Sequence, residues 1–133
     1  MSPFSVAHVE LNVSNLARSV EFYEKLFSYL GCAKRSEFRN GAGWSNGTTT
    51  FFIFQTENDH AHRSYHRSGT GLNHVAFHAP THEAVDAFHE KFLGKKCLYG
   101  GPKEYPDYRG GYYAVYFEDP DRVKLEYAFI PEK

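Results

Sequence analysis

The chain matches itself when slid by 66 positions, the separation of His8 from His74. His8-Val9 then falls on His74-Val75, Phe22 on Phe88, and Glu24-Lys25 on Glu90-Lys91. Leu11 meets Phe77, Leu26 meets Phe92 and Phe27 meets Leu93, all without a gap. Chance can supply one such pair, but it hardly preserves strand, cap region and helix in order. A fixed internal period means one supersecondary unit used twice. With 133 residues there is room for one compact domain and not for two ordinary independent ones. The copies are therefore read as two modules of a single α+β domain spanning 1–133. Module one covers 4–58, a loop covers 59–72 and module two covers 73–131.

Each copy opens with an alternating stretch and continues with a helical one. Val6 to Val13 reads as a strand with Val9, Leu11 and Val13 on one face and His8, Glu10 and Asn12 on the other. Ser14 is the expected N-cap of a helix reaching Leu30, with Gly31 as its stop. Leu16, Val20, Tyr23, Phe27 and Leu30 supply that helix with a buried face. In the second copy His74, Ala76 and His78 alternate with Val75 and Phe77. Pro80-Thr81 then opens a helix through Leu93, stopped by Gly94. Strands are expected over Phe38 to Ser45 and Thr48 to Gln55, joined by a two-residue turn at Asn46-Gly47. Tyr112 to Glu118 and Val123 to Phe129 form the later pair, around the turn Asp119-Pro120-Asp121-Arg122. The two copies thus read as βαβββ units.

Composition excludes several classes. Lys plus Arg number 15 and Asp plus Glu 16, so nothing draws the chain to nucleic acid or an anionic membrane. Apolar runs such as Phe51 to Phe54 are far short of a membrane span. The start, Met1-Ser2-Pro3-Phe4, lacks the basic and apolar regions of a signal peptide. Cys32 and Cys97 are too few and too far apart for a disulfide framework or a Cys-rich zinc site. A reducing cytoplasm is the expected setting, and no role is assigned to either thiol.

In the last strand Val123, Leu125 and Tyr127 form the apolar phase, while Lys124, Glu126 and Ala128 form the other. His8, His74 and Glu126 therefore each lie on the strand face opposite the helices. Two imidazoles and one carboxylate are the set that holds a divalent metal with positions left open for substrate. Ordinary half-buried histidines beside a solvated glutamate fit the same pattern, and residue types alone leave both readings open.

Several segments resemble the vicinal oxygen chelate superfamily, which includes glyoxalase I, fosfomycin-resistance proteins, extradiol dioxygenases and bleomycin-resistance proteins. They are His8-Val9-Glu10-Leu11 with Phe22-Tyr23-Glu24-Lys25, and Gly71-Leu72-Asn73-His74-Val75-Ala76-Phe77. The third and most specific is Tyr116-Phe117-Glu118-Asp119-Pro120-Asp121 through Lys124-Leu125-Glu126. The resemblance implies paired βαβββ modules whose sheets curl into a metal-binding cup. It also implies His8, His74 and Glu126 as ligands of one divalent ion (Mn, Fe, Ni or Zn). Single-pair members of the superfamily are commonly dimeric, so a homodimer is implied as well.

Two departures stand out. Glyoxalase I has a fourth ligand, a glutamate, in the last strand of its first module, where this chain reads Phe51-Phe52-Ile53-Phe54-Gln55-Thr56-Glu57. A shifted alignment reaches Gln55 or Glu57, but neither is expected to bind the metal. Arg122 stands where the family usually has glycine after Asp-Pro-Asp, a change expected to touch only the turn.

The resulting expectation is a metal-dependent, glyoxalase-like lyase or isomerase acting on a small substrate chelated through adjacent oxygens, with Glu126 catalytic. The alternatives are a fosfomycin-type thiol transferase, an extradiol dioxygenase, and a metal-free drug-binding protein of the bleomycin-resistance kind. Arg109 is a candidate clamp for an anionic group, and Tyr116 a candidate donor projecting into the cup. Glu10, Asn12 and His78 share the ligand face and are candidate partners orienting an imidazole. His60, His62 and His66 lie in the inter-module loop, where solvation is the simpler reading.

Overall fold

The computed structural model describes residues 4–32 and 35–132. Met1, Ser2 and Pro3, part of the start read above, lie outside them. The chain divides into two compact units, Met1–Ser64 and Tyr65–Lys133.

The first unit runs β1 (His8–Val13), α1 (Leu16–Tyr29), β2 (Arg35–Phe38), β3 (Gly41–Ser45) and β4 (Thr50–Gln55). Its sheet order is β1-β4-β3-β2, with β1 parallel to β4 and the other pairs antiparallel. The second unit runs β5 (Val75–His78), α2 (His82–Phe88), β6 (Lys103–Glu104), β7 (Tyr113–Glu118) and β8 (Lys124–Phe129). Its order, β5-β8-β7-β6, repeats the same topology. The fold is α+β, built from two βαβββ modules.

In the first unit α1 turns Tyr23, Leu26 and Phe27 onto the sheet, with Ser19 buried beside them. Leu16, Val20 and Leu30, expected on that face, are only half-buried. Tyr23 packs tilted against Phe51 at 5.1 Å, and Phe27 stacks on Trp44 at 5.4 Å. The Trp44 indole N–H donates to Glu24 at 2.9 Å, so the buried ring loses no hydrogen bond. Each fully buried apolar side chain of this kind contributes about 1.5–3 kcal/mol. In the second unit Val85, Phe88 and Leu93 play that part, with Phe88 4.9 Å from Tyr127 and 5.2 Å from Phe117.

Several boundaries differ from the sequence reading. Asn15, not Ser14, caps α1, its side chain accepting from the Arg18 N–H at 3.1 Å. The Ser14 carbonyl is already taken by Gln55, which delays the helix by one residue. The span Phe38 to Ser45 is not one strand, because Arg39-Asn40 turns the chain between β2 and β3. The Asn46-Gly47 turn is a four-residue loop closed by the Ser45–Thr50 pair. There the Asn46 side chain accepts from the Thr48 and Thr49 N–H groups at 2.9 Å, and Gly47 takes φ +92°. Thr81 caps α2, accepting from the Ala84 N–H at 3.0 Å. That helix then widens into a π turn over His89–Leu93, ended by Gly94. Among the described residues no helix is long and apolar enough to cross a membrane.

Candidate metal centre

Strand pairing decides which side chains share a face, and in the second unit it gathers the chemistry on the side away from α2. Glu126 pairs with Ala76 on β5 and with Tyr116 on β7. His74 immediately precedes β5, and Nε2 of its ring lies 3.0 Å from Oε2 of Glu126. Glu126 is 1% exposed, a carboxylate almost wholly removed from water. Its other oxygen, Oε1, accepts from the Tyr112 hydroxyl at 2.5 Å. A buried carboxylate is costly unless its lone pairs are met; Tyr112 meets Oε1, and Oε2 is left facing His74.

The state of His74 follows from its neighbour. Nδ1 lies 2.6 Å from Oδ1 of Asn73, whose Nδ2 donates to the Arg67 carbonyl at 3.4 Å, an orientation that favours the imidazole proton on Nδ1. With the proton on Nδ1, a neutral imidazole presents a lone pair at Nε2, facing another lone pair on Glu126. Two acceptors 3.0 Å apart need a cation between them, either a proton or a metal. The donor set fits a divalent metal, and Asn73 is the kind of outer partner that fixes a ligating imidazole.

His8 lies on β1 in the first unit, its side chain 56% exposed. Its ring meets Phe52 edge-on at 5.8 Å, and Glu10 lies 3.9 Å from Nε2. Within either unit, among the described residues, no three His, Cys, Asp or Glu side chains gather as a metal-holding group.

The duplicated register locates the departure from glyoxalase I. Glu10 of β1 pairs with Phe52 as Ala76 of β5 pairs with Glu126, so Phe52 is the first-unit counterpart of Glu126. Gln55 lies elsewhere, its Oε1 accepting from the Leu16 N–H at 2.9 Å and its Nε2 donating to the Ser14 carbonyl at 3.0 Å. Both ends of that amide serve the start of α1. Glu57 is exposed at the entry to a short 3₁₀ turn.

Tyr116 is buried on the Glu126 face, its ring 5.8 Å from that of His74. Burial first, and then the Glu126 charge, raise its phenol well above the ordinary range, so it stays protonated. Burial and the bond to Glu126 do the same for Tyr112. Arg109 donates to the Pro131 carbonyl at 2.6 Å, tying its loop to the C-terminal segment. His78 is exposed on β5, and Arg122 is held at φ +64° with its guanidinium on Glu118 at 3.2 Å. Cys97 lies 3.6 Å from His89, and the Cys32 thiol donates to the Ser45 carbonyl at 2.7 Å.

Sequence reasoning passed over Asn73 and Tyr112 as partners of the site. Both stand beside residues it had singled out. Asn73 precedes His74, and Tyr112 immediately precedes β7, the strand that pairs with β8.

The chain belongs to the Glyoxalase/Bleomycin resistance protein/Dioxygenase superfamily, whose sequence profile matches residues 5–127. It is 36% identical over 123 residues to YqjT, an uncharacterized protein of Bacillus subtilis strain 168, covering 90% of this chain and 94% of that one. It is 35% identical to a protein from Bacillus halodurans assigned to the glyoxalases, with a TM-score of 0.79 over 94% of this chain and 95% of the other. A lactoylglutathione lyase from Agrobacterium tumefaciens shares the fold at 18% identity, with a TM-score of 0.68 over 97% and 96% of the two chains.

Proposed function

We propose that the protein is a divalent-metal-dependent, glyoxalase-like lyase or isomerase acting on a small substrate that carries two adjacent oxygens. The observation that carries this reading is the facing pair of His74 Nε2 and Glu126 Oε2, with Nδ1 already committed to Asn73. His8, from a first unit of this chain or of a second copy in a homodimer, is the third ligand. When bound, the metal supplies electrophilic stabilisation of negative charge growing on the substrate oxygens.

The remaining work belongs to the chain's own groups. Tyr112 holds Glu126 Oε1, which fixes the plane of the carboxylate and turns Oε2 toward His74. To Glu126 falls the transfer of a proton from the carbon beside a substrate oxygen, through Oε2, the oxygen Tyr112 leaves unbonded, the step shared by isomerisation and lyase chemistry. Tyr116, still protonated, offers an O–H to an oxygen in the same space. Phe52 at the fourth-ligand position favours a glyoxalase-like relative over glyoxalase I itself.

The test is metal content after purification without added metal, followed by titration with Mn, Fe, Ni and Zn. About one ion per chain is expected, with most of the affinity lost in His74→Ala. Wild-type affinity in that variant for every ion would sink the site. Mixing His8→Ala with Glu126→Ala chains decides where His8 comes from, since shared sites regain binding in mixed dimers and private ones do not.

A further inference from the structure

Lys124 sits on the same strand face as Glu126, two residues earlier on β8, and its charge has no use in the arrangement described so far. Its directly opposed neighbour across the strand pair is Glu118. One oxygen of that carboxylate, Oε2, takes both Arg67 at 2.9 Å and Arg122 at 3.2 Å. Glu126 is turned to His74 through Oε2 and to Tyr112 through Oε1. Among the described residues, no carboxylate pairs with Lys124. Its ammonium instead lies over two aromatic faces, 4.6 Å from the centre of Tyr116 and 5.0 Å from that of Tyr99. Ring faces attract a cation, yet they supply no oxygen for its three N–H donors.

A second, independent feature borders the same Tyr116 ring. Tyr105 meets it edge-on at 5.5 Å, and the Tyr105 hydroxyl is buried with no hydrogen-bond partner among the described residues. Leaving such a group unpaired costs about 1–3 kcal/mol, so an orphaned hydroxyl in a native fold asks for an explanation. Around these two donors stand the rings of Tyr99, Tyr108 and Tyr112, with Tyr99 and Tyr108 at least half exposed. An unpaired cation, an unpaired buried hydroxyl and solvent-facing rings have complementary needs. A carboxylate or similar oxyanion answers the first two, and a flat apolar body answers the third.

We propose that this face of the second unit recognises a small planar organic anion, with Lys124 as its charge partner and Tyr105 as a hydrogen-bond donor. This rests on the reading of His74 and Glu126 as the reactive centre, and it adds the class of substrate that centre receives. Lys124 and Tyr105 select and orient the anion; neither is assigned a part in bond making.

The probes are benzoate and its neutral analogue benzamide, titrated by ligand-observed NMR in the presence of chelator and again with added Zn. Wild-type protein is expected to bind benzoate about tenfold more tightly than benzamide, the scale of one charge-assisted hydrogen bond. Lys124→Met should bring benzoate down to the benzamide level, and Lys124→Arg should keep most of the preference. That pair separates loss of charge from loss of fold. Tyr105→Phe should weaken both probes several-fold, because both carry an acceptor oxygen. Equal binding of the two probes by wild-type protein, no benzoate binding at millimolar concentration, or a preference that survives Lys124→Met overturns the proposal. Benzoate preference without metal uptake would sink the metal reading alone, and metal uptake without preference would sink this one alone.

Discussion

Phe52 stands in the first sheet where Glu126 stands in the second, each paired with the strand residue two positions after the module's histidine. One copy of the unit thus offers a carboxylate and the other an aromatic ring. Phe52→Glu would place a carboxylate beside His8 and directly opposite Glu10, a like-charge pair on one face. The variant without metal should be destabilised by about 1–2 kcal/mol, from that repulsion and lost apolar packing. Added Zn or Ni should restore much of the loss. Thermal unfolding with and without metal checks both halves, and an unchanged response to metal counts against His8 as a ligand.

Tyr112→Phe removes the donor on Glu126 Oε1 and keeps the ring. A buried carboxylate left short of one partner costs about 1–3 kcal/mol, so urea unfolding of the metal-free protein should shift by that amount. Metal affinity should fall by about 10- to 100-fold, the usual effect of losing a partner that orients a ligand. A variant with unchanged metal affinity would show that Tyr112 does not position the carboxylate.

Gln55→Ala should lower stability by about 1 kcal/mol and leave metal binding intact. Its amide accepts from one of the orphan N–H groups at the start of α1 and donates to the carbonyl of Ser14. Glu57→Ala, at an exposed position, should change neither quantity. If either substitution empties the site as fully as His74→Ala does, a fourth ligand exists.

High pH should unfold the protein through its tyrosines. The bond to Asp86 raises the Tyr113 phenol from 10.0 to about 12, and burial raises Tyr112 and Tyr116 further. The fold favours the protonated form, so its contribution is complete below the unfolded value near pH 10. It is lost as pH climbs through the folded values. Phenolate absorbance followed alongside circular dichroism should show these groups ionising together with unfolding. Tyr113→Phe should remove the component attributed to pH 10–12. Smooth ionisation of all tyrosines near pH 10 in the intact fold would contradict the assignment.

The repeat made the fold legible, since a period of 66 residues carrying strand, cap and helix in order leaves few alternatives to a duplicated module. The face on which Glu126 meets His74 was legible too, because alternation along β8 puts Glu126 out of phase with Val123 and Leu125. What escaped the sequence was set by contacts between distant residues. Gln55, 39 positions from Leu16 along the chain, helps settle where α1 begins. The Asn46 side chain bonds its own loop and turns a two-residue hairpin into a longer one. The two-residue strand β6 carries no alternation to detect. Lys124 read as one more polar residue on an open face until Glu118 proved to be held by two arginines.

The glycines of β3 add a historical constraint. Gly41 pairs with Phe54 and Gly43 with Phe52, and a Cβ built on Gly43 would stand 2.6 Å from the Phe52 ring. At positions 43 and 52 the small and the large residue are therefore bound by epistasis. Phe52 can shrink or gain a charge while Gly43 stays as it is, but a side chain on Gly43 requires that ring to shift or shrink. At this pair the cheaper order of change is β4 before β3. Among homologues, a non-glycine residue at position 43 should accordingly travel with a smaller or more flexible residue at position 52.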